Sequence, residues 1–578
     1  MRIRSYLCRS TTALLLLALL AVAIRFPSYL RFFSQPSNVA AASAPPQPLS
    51  SAGQSELRSI IDSGNFPDLR WPDFTDYRGY VQQFYASYQY SLPWVRDMQP
   101  SPQAKIMIAK FQSAADKGLN PEDYDASRWA ARVASLLPAN RNPKEIDAIR
   151  FDVALTVNTM RYISDLRIGR VNPQHLDFNL DVNQKKLNLP EFLATDVVDS
   201  NDLENVLFHI EPPFPGYWRT QRALQTYREL VAKQPPPLPS IKTGVKPGGT
   251  YPDAAGLGSF LKLVGDLPAN ASVPDALNVY GGSLVDGVKH FQSRHGLPPD
   301  GVLSAKTIEE MNIPFSNRVT QIQLTLERWR WLPLSFGGAP IVVNIPEFRL
   351  RAYDDNLKLA FSMNVVVGKA YDHVTPVFTG QMKYVIFRPY WNVPYSIVKA
   401  EILPTLSRNP NYLEKGNFEI VDARQNPLGS GNVTPEILQQ IRSGKLMIRQ
   451  KPGPKNSLGL IKFMFPNEFS VYMHDTPATT LFSRSRRDFS HGCIRLESPA
   501  DLAVWVLRNN PGWDMNRVRA AMNGTDNLRV DLAKPVPVII IYGTVYVADD
   551  GTVHFFDDIY GHDAALEQAL ASGYPYPW

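Results

Sequence analysis

The sequence is poor in cysteine, with only Cys8 and Cys493 among 578 residues. Cys8 stands before an apolar N-terminal run that is typical of an export signal. An exported domain behind that run would carry Cys493 alone, which excludes an intramolecular disulfide there. An unpaired cysteine in an exported chain indicates either intermolecular pairing or a thiol kept for its reactivity.

The chain also lacks a tract rich in lysine and arginine, and its net charge of +6 is small for its length. We therefore expect no nucleic-acid partner. A composition of 44% hydrophobic and 20% charged residues excludes a largely disordered or fibrous chain. Because single cores stop growing at roughly 250–300 residues, the length predicts several domains.

Long apolar runs are scarce, and the clearest one covers residues 13–24 behind Arg2 and Arg4. A basic segment before an apolar stretch of ~7–15 residues is typical of a signal peptide. A membrane-spanning helix needs roughly 20 apolar residues, but apolar residues continue here to Phe33. We predict that residues 1–33 are a signal peptide or an N-terminal membrane anchor, and both alternatives stay open.

Composition and periodicity divide the rest of the N-terminal half. Residues 34–53 are rich in Ser, Ala, Pro and Gln, which predicts a flexible tether. The apolar spacing over residues 54–233 is helical, with Phe151, Ala154 and Leu155 on one stripe, and predicts a helical scaffold domain. The prolines that follow form a stiff linker.

Residues 240–315 are predicted to form a small helical module. Val288 and Phe291 share one helical face, Gly296 stands where a helix C-cap belongs, and Ser304 can N-cap a last helix. The stretch around Phe291 resembles the three-helix peptidoglycan-binding domain of cell-wall enzymes. A helical spacer with a coincidental pattern is the alternative.

The C-terminal part changes to strand patterns and predicts a mainly antiparallel β domain over residues 318–562. A hairpin is expected at Asp549-Asp550-Gly551, and Ser498 is expected to N-cap a helix with Asp501 closing a capping box. Residues 396–457 are rich in helical and loop patterns, and we interpret them as a cap inserted into this domain. Residues 563–578 are predicted to be a C-terminal tail. The helical N-terminal part and the β-rich C-terminal part together predict a multidomain α+β fold class.

Cys493 has the neighbours that a cysteine nucleophile needs. A free thiol has a pKa of ~8.5, so only a few per cent is thiolate at neutral pH unless a base and positive charge assist. His474 follows a predicted strand and is the favoured base, while Arg495 favours the thiolate. His491 would share a face with Cys493 on an extended segment, and the sequence leaves open which histidine contacts sulfur.

The backbone amides around Gly492 and Cys493 could form an oxyanion hole, because glycine allows close approach of the backbone. The alternative is that Cys493 has only a structural role, as a small buried hydrophobic residue. Zinc is a poor alternative, since one cysteine and two scattered histidines make a weak ligand set. We therefore expect neither a metal nor a cofactor.

The segment from His474 to the motif Ser490-His491-Gly492-Cys493-Ile494-Arg495 resembles the signature of the L,D-transpeptidase family with a YkuD-type catalytic domain. The order of scaffold, peptidoglycan-binding module and capped catalytic domain is similar to that of its large Gram-negative members. Asp475 stands where many smaller members have glycine, which leaves open what orients His474; a backbone carbonyl is one candidate. Two further matching segments are Tyr390-Trp391-Asn392-Val393-Pro394 and Asp557-Asp558-Ile559-Tyr560-Gly561.

The resemblance implies a reaction. Cys493 would attack a peptidoglycan tetrapeptide stem, expel D-alanine and form a thioester, with His474 as proton donor and acceptor. A neighbouring stem's amine would then complete a 3→3 cross-link, with residues 396–457 helping to exclude water. His491, Gly492 and Arg495 would complete the catalytic set. The implied substrate contacts are Tyr390, Trp391, Asn392, Tyr472 and Ser490.

The resemblance also implies a periplasmic location, with the inner membrane as a partner if the N-terminal segment is not cleaved. Carbapenems are expected to acylate Cys493, because they resemble the acyl donor. Three alternatives stay open. Water as acceptor would make a carboxypeptidase, a lipoprotein could be attached to or released from the wall, and the chain could be a silent wall-binding scaffold.

Overall fold

A computed structural model describes residues 44–136, 144–273, 278–370, 373–406, 408–409, 411–430 and 433–574. The predicted signal or anchor and the first half of the predicted tether lie outside these ranges. Within them, no helix combines the length and apolar character needed to cross a membrane. The last residues of the predicted tether are helical, because a helix begins at Ser51 with the Ser50 side chain capping Gly53 N.

The region predicted as a scaffold is helical, and one long helix, Glu145–Ile168, runs through its centre. The sequence pattern predicted one apolar stripe on this helix, but the helix is buried on nearly all sides from Ala148 to Ile163. Other helices surround it, so even its polar residues are covered. The main helices are Ser51–Ser63, Arg78–Ser87, Pro102–Gln112, Trp129–Leu136, Glu145–Ile168, Leu203–Ile210 and Pro215–Val231.

Two of the buried polar residues of this central helix, Asp152 and Thr156, are paired with neighbouring aromatic residues. Asp152 accepts from the Tyr85 hydroxyl at 2.7 Å and from the Trp94 backbone N–H at 2.8 Å. Thr156 Oγ1 accepts from the Trp94 indole at 3.0 Å. Buried polar groups are stable when they are paired in this way, which explains how a mixed sequence fills the core.

The module after the linker has three helices, Ala254–Leu263, Ser283–Arg294 and Ala305–Met311. Ser304 caps the third helix by accepting from Thr307 N at 3.1 Å, as predicted. Gly296, just after the second helix, has a φ of 65°, which fits its predicted place at the C-terminal cap. A fourth helix, Phe315–Trp331, leads into the β domain and packs against scaffold helix Pro215–Val231.

The strands divide between the helical region and the β domain. Those of the scaffold are β1 (Val95–Arg96), β2 (Gln99–Pro100) and β3 (Phe178–Asn179). The others are β4 (Ile341–Asn344), β5 (Arg349–Tyr353), β6 (Leu359–Gly368), β7 (Val377–Phe387), β8 (Trp391–Asn392), β9 (Phe418–Val421), β10 (Pro427–Gly429), β11 (Met447–Gln450), β12 (Ile461–Met464), β13 (Met473–His474), β14 (Asp488–Ser490), β15 (Ile494–Leu496), β16 (Leu528–Ile541), β17 (Val545–Val547) and β18 (Val553–Phe555).

The main sheet of the β domain closes on itself. Its order is β12-β13-β15-β6-β5-β4-β16-β7, and β7 also pairs with β12. Most pairings are antiparallel, whereas β13–β15 and β4–β16 are parallel. Scaffold strand β3 pairs in parallel with β7, so the helical region adds a strand to this sheet. The multidomain α+β class is confirmed, while the exact domain limits stay a prediction.

The predicted cap contains more strand than the sequence indicated. Strands β9, β10 and β11 form a sheet that β8 extends, and short helices such as Pro435–Arg442 lie around it. Leu413, Ile420 and Ile448 belong to a hydrophobic cluster of the cap's own, separate from the core of the main sheet. The helical interpretation of this segment was therefore incomplete, because its strands are only three or four residues long.

Two local predictions near the C-terminus have different outcomes. The hairpin at Asp549-Asp550-Gly551 is confirmed, since it joins the antiparallel pair β17 and β18. Helix Pro499–Val506 begins after Ser498 as predicted, but Ser498 makes no side-chain capping bond. Beyond helix His562–Ala571, Tyr574 reaches the scaffold and donates a hydrogen bond from its hydroxyl to Asp165.

Candidate functional site

Cys493 lies in a tight turn between β14, which ends at Ser490, and β15, which begins at Ile494. Gly492 has a φ of 108°, a region that favours glycine. The buried Ser490 hydroxyl donates to the Cys493 carbonyl at 2.5 Å and accepts from Gly492 N at 3.2 Å. Ser490 thus shapes the turn, and its expected role in binding substrate stays a prediction.

This turn contradicts two details of the sequence interpretation. The segment from His491 to Cys493 is bent rather than extended, so the alternation rule does not place both side chains on one face. The Gly492 amide is already bonded to Ser490 and is not free for an oxyanion. In the part of the chain that the structure describes, the Cys493 N–H has no hydrogen-bond acceptor. Cys493 therefore supplies the available amide.

A network that the sequence did not reveal supports the turn from behind. Thr375 Oγ1 donates to the Gly492 carbonyl at 2.8 Å and accepts from Gly368 N at 2.8 Å. The Tyr560 hydroxyl donates to the Gly368 carbonyl at 2.5 Å and accepts from Thr375 N at 3.2 Å. Tyr560 belongs to the C-terminal segment that carried part of the family resemblance, which was the available signal.

The Cys493 thiol is held against strand β13 and the residues before it. Its Sγ lies 4.0 Å from the Ser470 carbonyl, and the Tyr472 hydroxyl is a hydrogen-bond partner. The parallel pairing of β13 with β15 produces this arrangement, because Ile494 N donates to the Tyr472 carbonyl at 3.1 Å. Tyr472, predicted as a substrate contact, is thus a direct neighbour of the thiol.

Burial raises the pKa of Cys493, and three neighbours oppose this effect. Hydrogen bonds with Tyr472 stabilise the thiolate, as do the charges of Arg495 and Lys462. Lys462 on β12 was missed by the sequence analysis, because nothing in its strand pattern distinguishes it from a solvated lysine. Burial lowers the pKa of Lys462 itself, and its Nζ lies 5.6 Å from the centre of the Tyr472 ring.

His474 is buried, and its orientation has a clear cause. Nδ1 lies 2.6 Å from the Asp475 carbonyl oxygen, so the question of what orients the imidazole is answered by this backbone group. The Asp475 side chain accepts from Leu460 N at 2.8 Å and Thr476 N at 2.7 Å, which holds the loop. Burial lowers the pKa of His474 to about 3, and the charges of Arg495 and Lys462 act in the same direction.

His474 lies on a strand that pairs with the strand after Cys493, but the two residues are not directly bonded. His474 pairs in register with Arg495, which stands two residues beyond Cys493. The ring centre of His474 lies 5.8 Å from that of Tyr472. Among the described residues no hydrogen bond joins His474 to Cys493. Hydrogen bonds of catalytic groups are often long or poorly aligned before substrate binds, so the absence of a direct bond does not exclude His474 as the base.

His491 contacts the cap rather than the thiol. Its Nε2 lies 2.6 Å from Oε1 of Glu401, which belongs to the helical turn Val398–Ile402. Its ring centre is 4.7 Å from that of His373, on the loop that precedes Thr375. The negative charge of Glu401 also acts on Arg495. Neither Glu401 nor His373 was indicated by any pattern in the sequence.

The predicted substrate contacts Tyr390, Trp391 and Asn392 lie where the cap joins the main domain. Trp391 and Asn392 form β8, which pairs with β11 of the cap. The guanidinium of Arg449 lies 4.3 Å from the Tyr390 ring centre. Within the described ranges, no hydrogen bond, ion pair or ring contact joins these three residues to Cys493. Their role in binding substrate stays a prediction.

Fold and site together define a multidomain α+β protein whose closed sheet carries a cysteine, a buried histidine and two cationic side chains. Comparison with protein families identifies the parts. Residues 339–540 match the L,D-transpeptidase catalytic domain (YkuD), residues 79–224 match the scaffold domain, and residues 260–311 match the "Putative peptidoglycan binding domain". In chain order, these segments are thus similar to a scaffold domain, a peptidoglycan-binding domain and a YkuD-type L,D-transpeptidase catalytic domain.

A curated relative agrees with this assignment. The chain is 30% identical over 254 residues to the "Putative L,D-transpeptidase" of Haemophilus influenzae, a match that covers 44% of this chain and 50% of the relative. A solved L,D-transpeptidase structure from Xylanimonas cellulosilytica, residues 123–326, is 14% identical. It covers 53% of this chain and 100% of its own, with a TM-score of 0.16, which is too low to support an argument.

Proposed function

We propose that this protein is an L,D-transpeptidase that forms 3→3 cross-links in peptidoglycan through a thioester on Cys493. The observation that carries the proposal is the Cys493 turn, where the thiol faces Tyr472 and two cationic groups while its own N–H has no acceptor among the described residues. These groups are the parts of a thiol nucleophile and of an oxyanion site. The catalytic-domain match over residues 339–540 supports the same conclusion.

In the first half of the reaction, Sγ attacks the carbonyl carbon of the third stem residue. The thiol proton passes to Nε2 of His474, because Nδ1 is held by the Asp475 carbonyl. The Cys493 N–H donates to the developing oxyanion. The tetrahedral intermediate collapses, the terminal D-alanine leaves with the proton from His474, and a thioester on Cys493 remains.

In the second half, the side-chain amine of a neighbouring stem attacks the thioester and releases Cys493. The substrate is therefore the peptidoglycan stem, and the proposal places the protein in the periplasm, anchored to the inner membrane if its N-terminal segment is not cleaved. Carbapenems would acylate Cys493 in the same way as the natural donor. Attack by water in place of the amine would give carboxypeptidase activity.

The test is to incubate the purified full-length chain with disaccharide-tetrapeptides and to analyse the products by mass spectrometry. We expect 3→3 dimers, released D-alanine and a carbapenem adduct that maps to the Cys493 peptide. Cys493→Ala should abolish all three, and the matched control Cys8→Ala should keep them. Dimer formation by Cys493→Ala, or D-alanine release without dimers from the unaltered chain, would contradict the proposal.

A further inference from the structure

The contact between His491 and Glu401 joins the active-site turn to the cap. His491 Nε2 lies 2.6 Å from the Glu401 carboxylate, and both side chains are partly exposed, at 35% and 53%. A carboxylate cannot donate, so Nε2 carries the hydrogen and Nδ1 keeps a lone pair in the neutral ring. The pair therefore leaves Nδ1 as a base, on a partly exposed side chain two residues from Cys493.

The buried base is less suited to the second half-reaction than to the first. His474 is enclosed, its Nδ1 is bonded to Asp475, and Arg495 and Lys462 disfavour a further positive charge there. An acceptor amine arrives as an ammonium ion and must lose a proton before it can attack. The carboxylate of Glu401 is the negative group that the cap contributes beside His491, and it also interacts with Arg495.

We propose that His491 and Glu401 form the acceptor side of the site, which binds a cationic primary amine and removes its proton. In this step the ammonium N–H donates to His491 Nδ1, and the free amine attacks the thioester carbon. His491 passes this first proton to solvent. The C–S bond breaks and Cys493 leaves as thiolate, and the second proton, which the nitrogen loses as it becomes an amide, passes through His491 Nδ1 to the thiolate. Glu401 acts through His491 as a positioning residue, and His373 lies beside His491, with the two ring centres 4.7 Å apart.

This inference rests on the proposed function but is tested separately from it. Thioester formation involves the donor alone, whereas aminolysis requires the acceptor. The acyl-enzyme is first formed on the full-length chain with a tetrapeptide donor and quantified by intact mass. An excess of a lysine-type amine is then added, and cross-linked and hydrolysed products are measured over time.

For Glu401→Gln and His491→Gln we expect thioester formation to fall by a much smaller factor than aminolysis. We expect aminolysis to fall ~10²-fold or more, the usual size of a general-base effect. Hydroxylamine, which is largely unprotonated at neutral pH, should be accepted nearly as well by the variants as by the parent. A merely structural defect would affect both acceptors. The matched control is Glu436→Gln on cap helix Pro435–Arg442, which should leave every rate unchanged.

The outcomes separate the two proposals. If the unaltered chain forms no thioester, the proposed function fails and this inference fails with it. If the thioester forms and the variants still transfer it to the lysine-type amine at the parental rate, the acceptor role of His491 and Glu401 is wrong. An equal loss with lysine-type amine and hydroxylamine would also overturn it. Glu401→Asp should recover part of the aminolysis that Glu401→Gln loses.

Discussion

The Nδ1 atom of His474 lies 2.6 Å from the backbone carbonyl of Asp475, and this contact sets the tautomer of the buried imidazole. A carbonyl only accepts, so Nδ1 carries the hydrogen and Nε2 is the free base. The imidazole is thus oriented by the backbone, whereas the histidine of a Ser-His-Asp triad is oriented by a carboxylate. Replacing the Asp475 side chain would act on the loop that positions this carbonyl, not on the bond itself.

Replacing His474 should slow acylation of Cys493. We expect His474→Gln to reduce the rate of carbapenem adduct formation by ~10²–10⁴-fold, because the thiol loses the group that receives its proton. Intact mass spectrometry over time measures this rate. His209→Gln, on the exposed end of scaffold helix Leu203–Ile210, is the matched control and should react at the parental rate. An unchanged rate in His474→Gln would assign the base elsewhere.

His474 should also make the protein sensitive to acid. Burial lowers its pKa from 6.5 to about 3, so below pH 6.5 the unfolded chain binds a proton that the folded chain does not. This contribution to stability is complete above pH 6.5 and is lost as the pH falls toward 3, by at most about 1.4 kcal/mol per pH unit.

Urea unfolding at several pH values between 7 and 4 measures this effect. We expect the free energy of unfolding to fall more steeply with acid in the unaltered chain than in His474→Gln, which lacks the titrating group. The comparison is one of slopes, so any constant cost of the substitution cancels. Parallel slopes for the two proteins would show that His474 is not held neutral in the folded state.

Gly492 should be required for both stability and activity. Its φ of 108° is strained for any residue with a Cβ, so Gly492→Ala should cost about 1–3 kcal/mol of stability. The substitution should also lower the rate of Cys493 acylation by more than about 10-fold, because the Cys493 N–H would point in a different direction. Gly551→Ala, at φ 90° with open space around it, is the control for the backbone cost alone. Equal activity in the two variants would contradict this role of the turn.

Some features of the site could be predicted because they depend on neighbours in sequence. Each of two features depends only on residues within four positions of one another. These are the turn at Asp549-Asp550-Gly551 and the cap at Ser304, and both occur as predicted. Cys493 was conspicuous because cysteine is scarce and because His491 and Arg495 stand two positions before and after it. Such local signals do not depend on which strands pair.

Other features depend on pairings between distant segments, which a single sequence does not reveal. Lys462 acts on Cys493 because β12 and β15 both pair with β13. Thr375 reaches Gly492 across 117 positions, and Glu401 reaches His491 across 90. The strands of the cap were missed because they are short and interrupted by Pro, Asn and Gly, which favour loops in the local pattern.

The reactivity of Cys493 should depend on three neighbours. Burial raises the thiol pKa, while Tyr472, Arg495 and Lys462 lower it, so removing any of them should raise it further. We therefore expect Tyr472→Phe, Arg495→Gln and Lys462→Met each to move the alkylation profile to higher pH. At a fixed pH below the thiol pKa, a tenfold lower thiolate fraction should give an alkylation rate about tenfold lower, since the thiolate is the reacting species.

Iodoacetamide is a suitable probe for these variants because it is uncharged, so its approach does not change when a cationic side chain is removed. Alkylation of the Cys493 peptide is followed by mass spectrometry from neutral to alkaline pH, with Arg508→Gln as the control. Arg508 is exposed and stacks on Trp505, with its guanidinium 3.9 Å from the ring centre, so its charge should not affect the thiol. A rate that is already at its plateau at neutral pH would mean that the thiolate is preformed. That result would contradict the raised pKa, because burial would then be outweighed by Arg495, Lys462 and Tyr472 together.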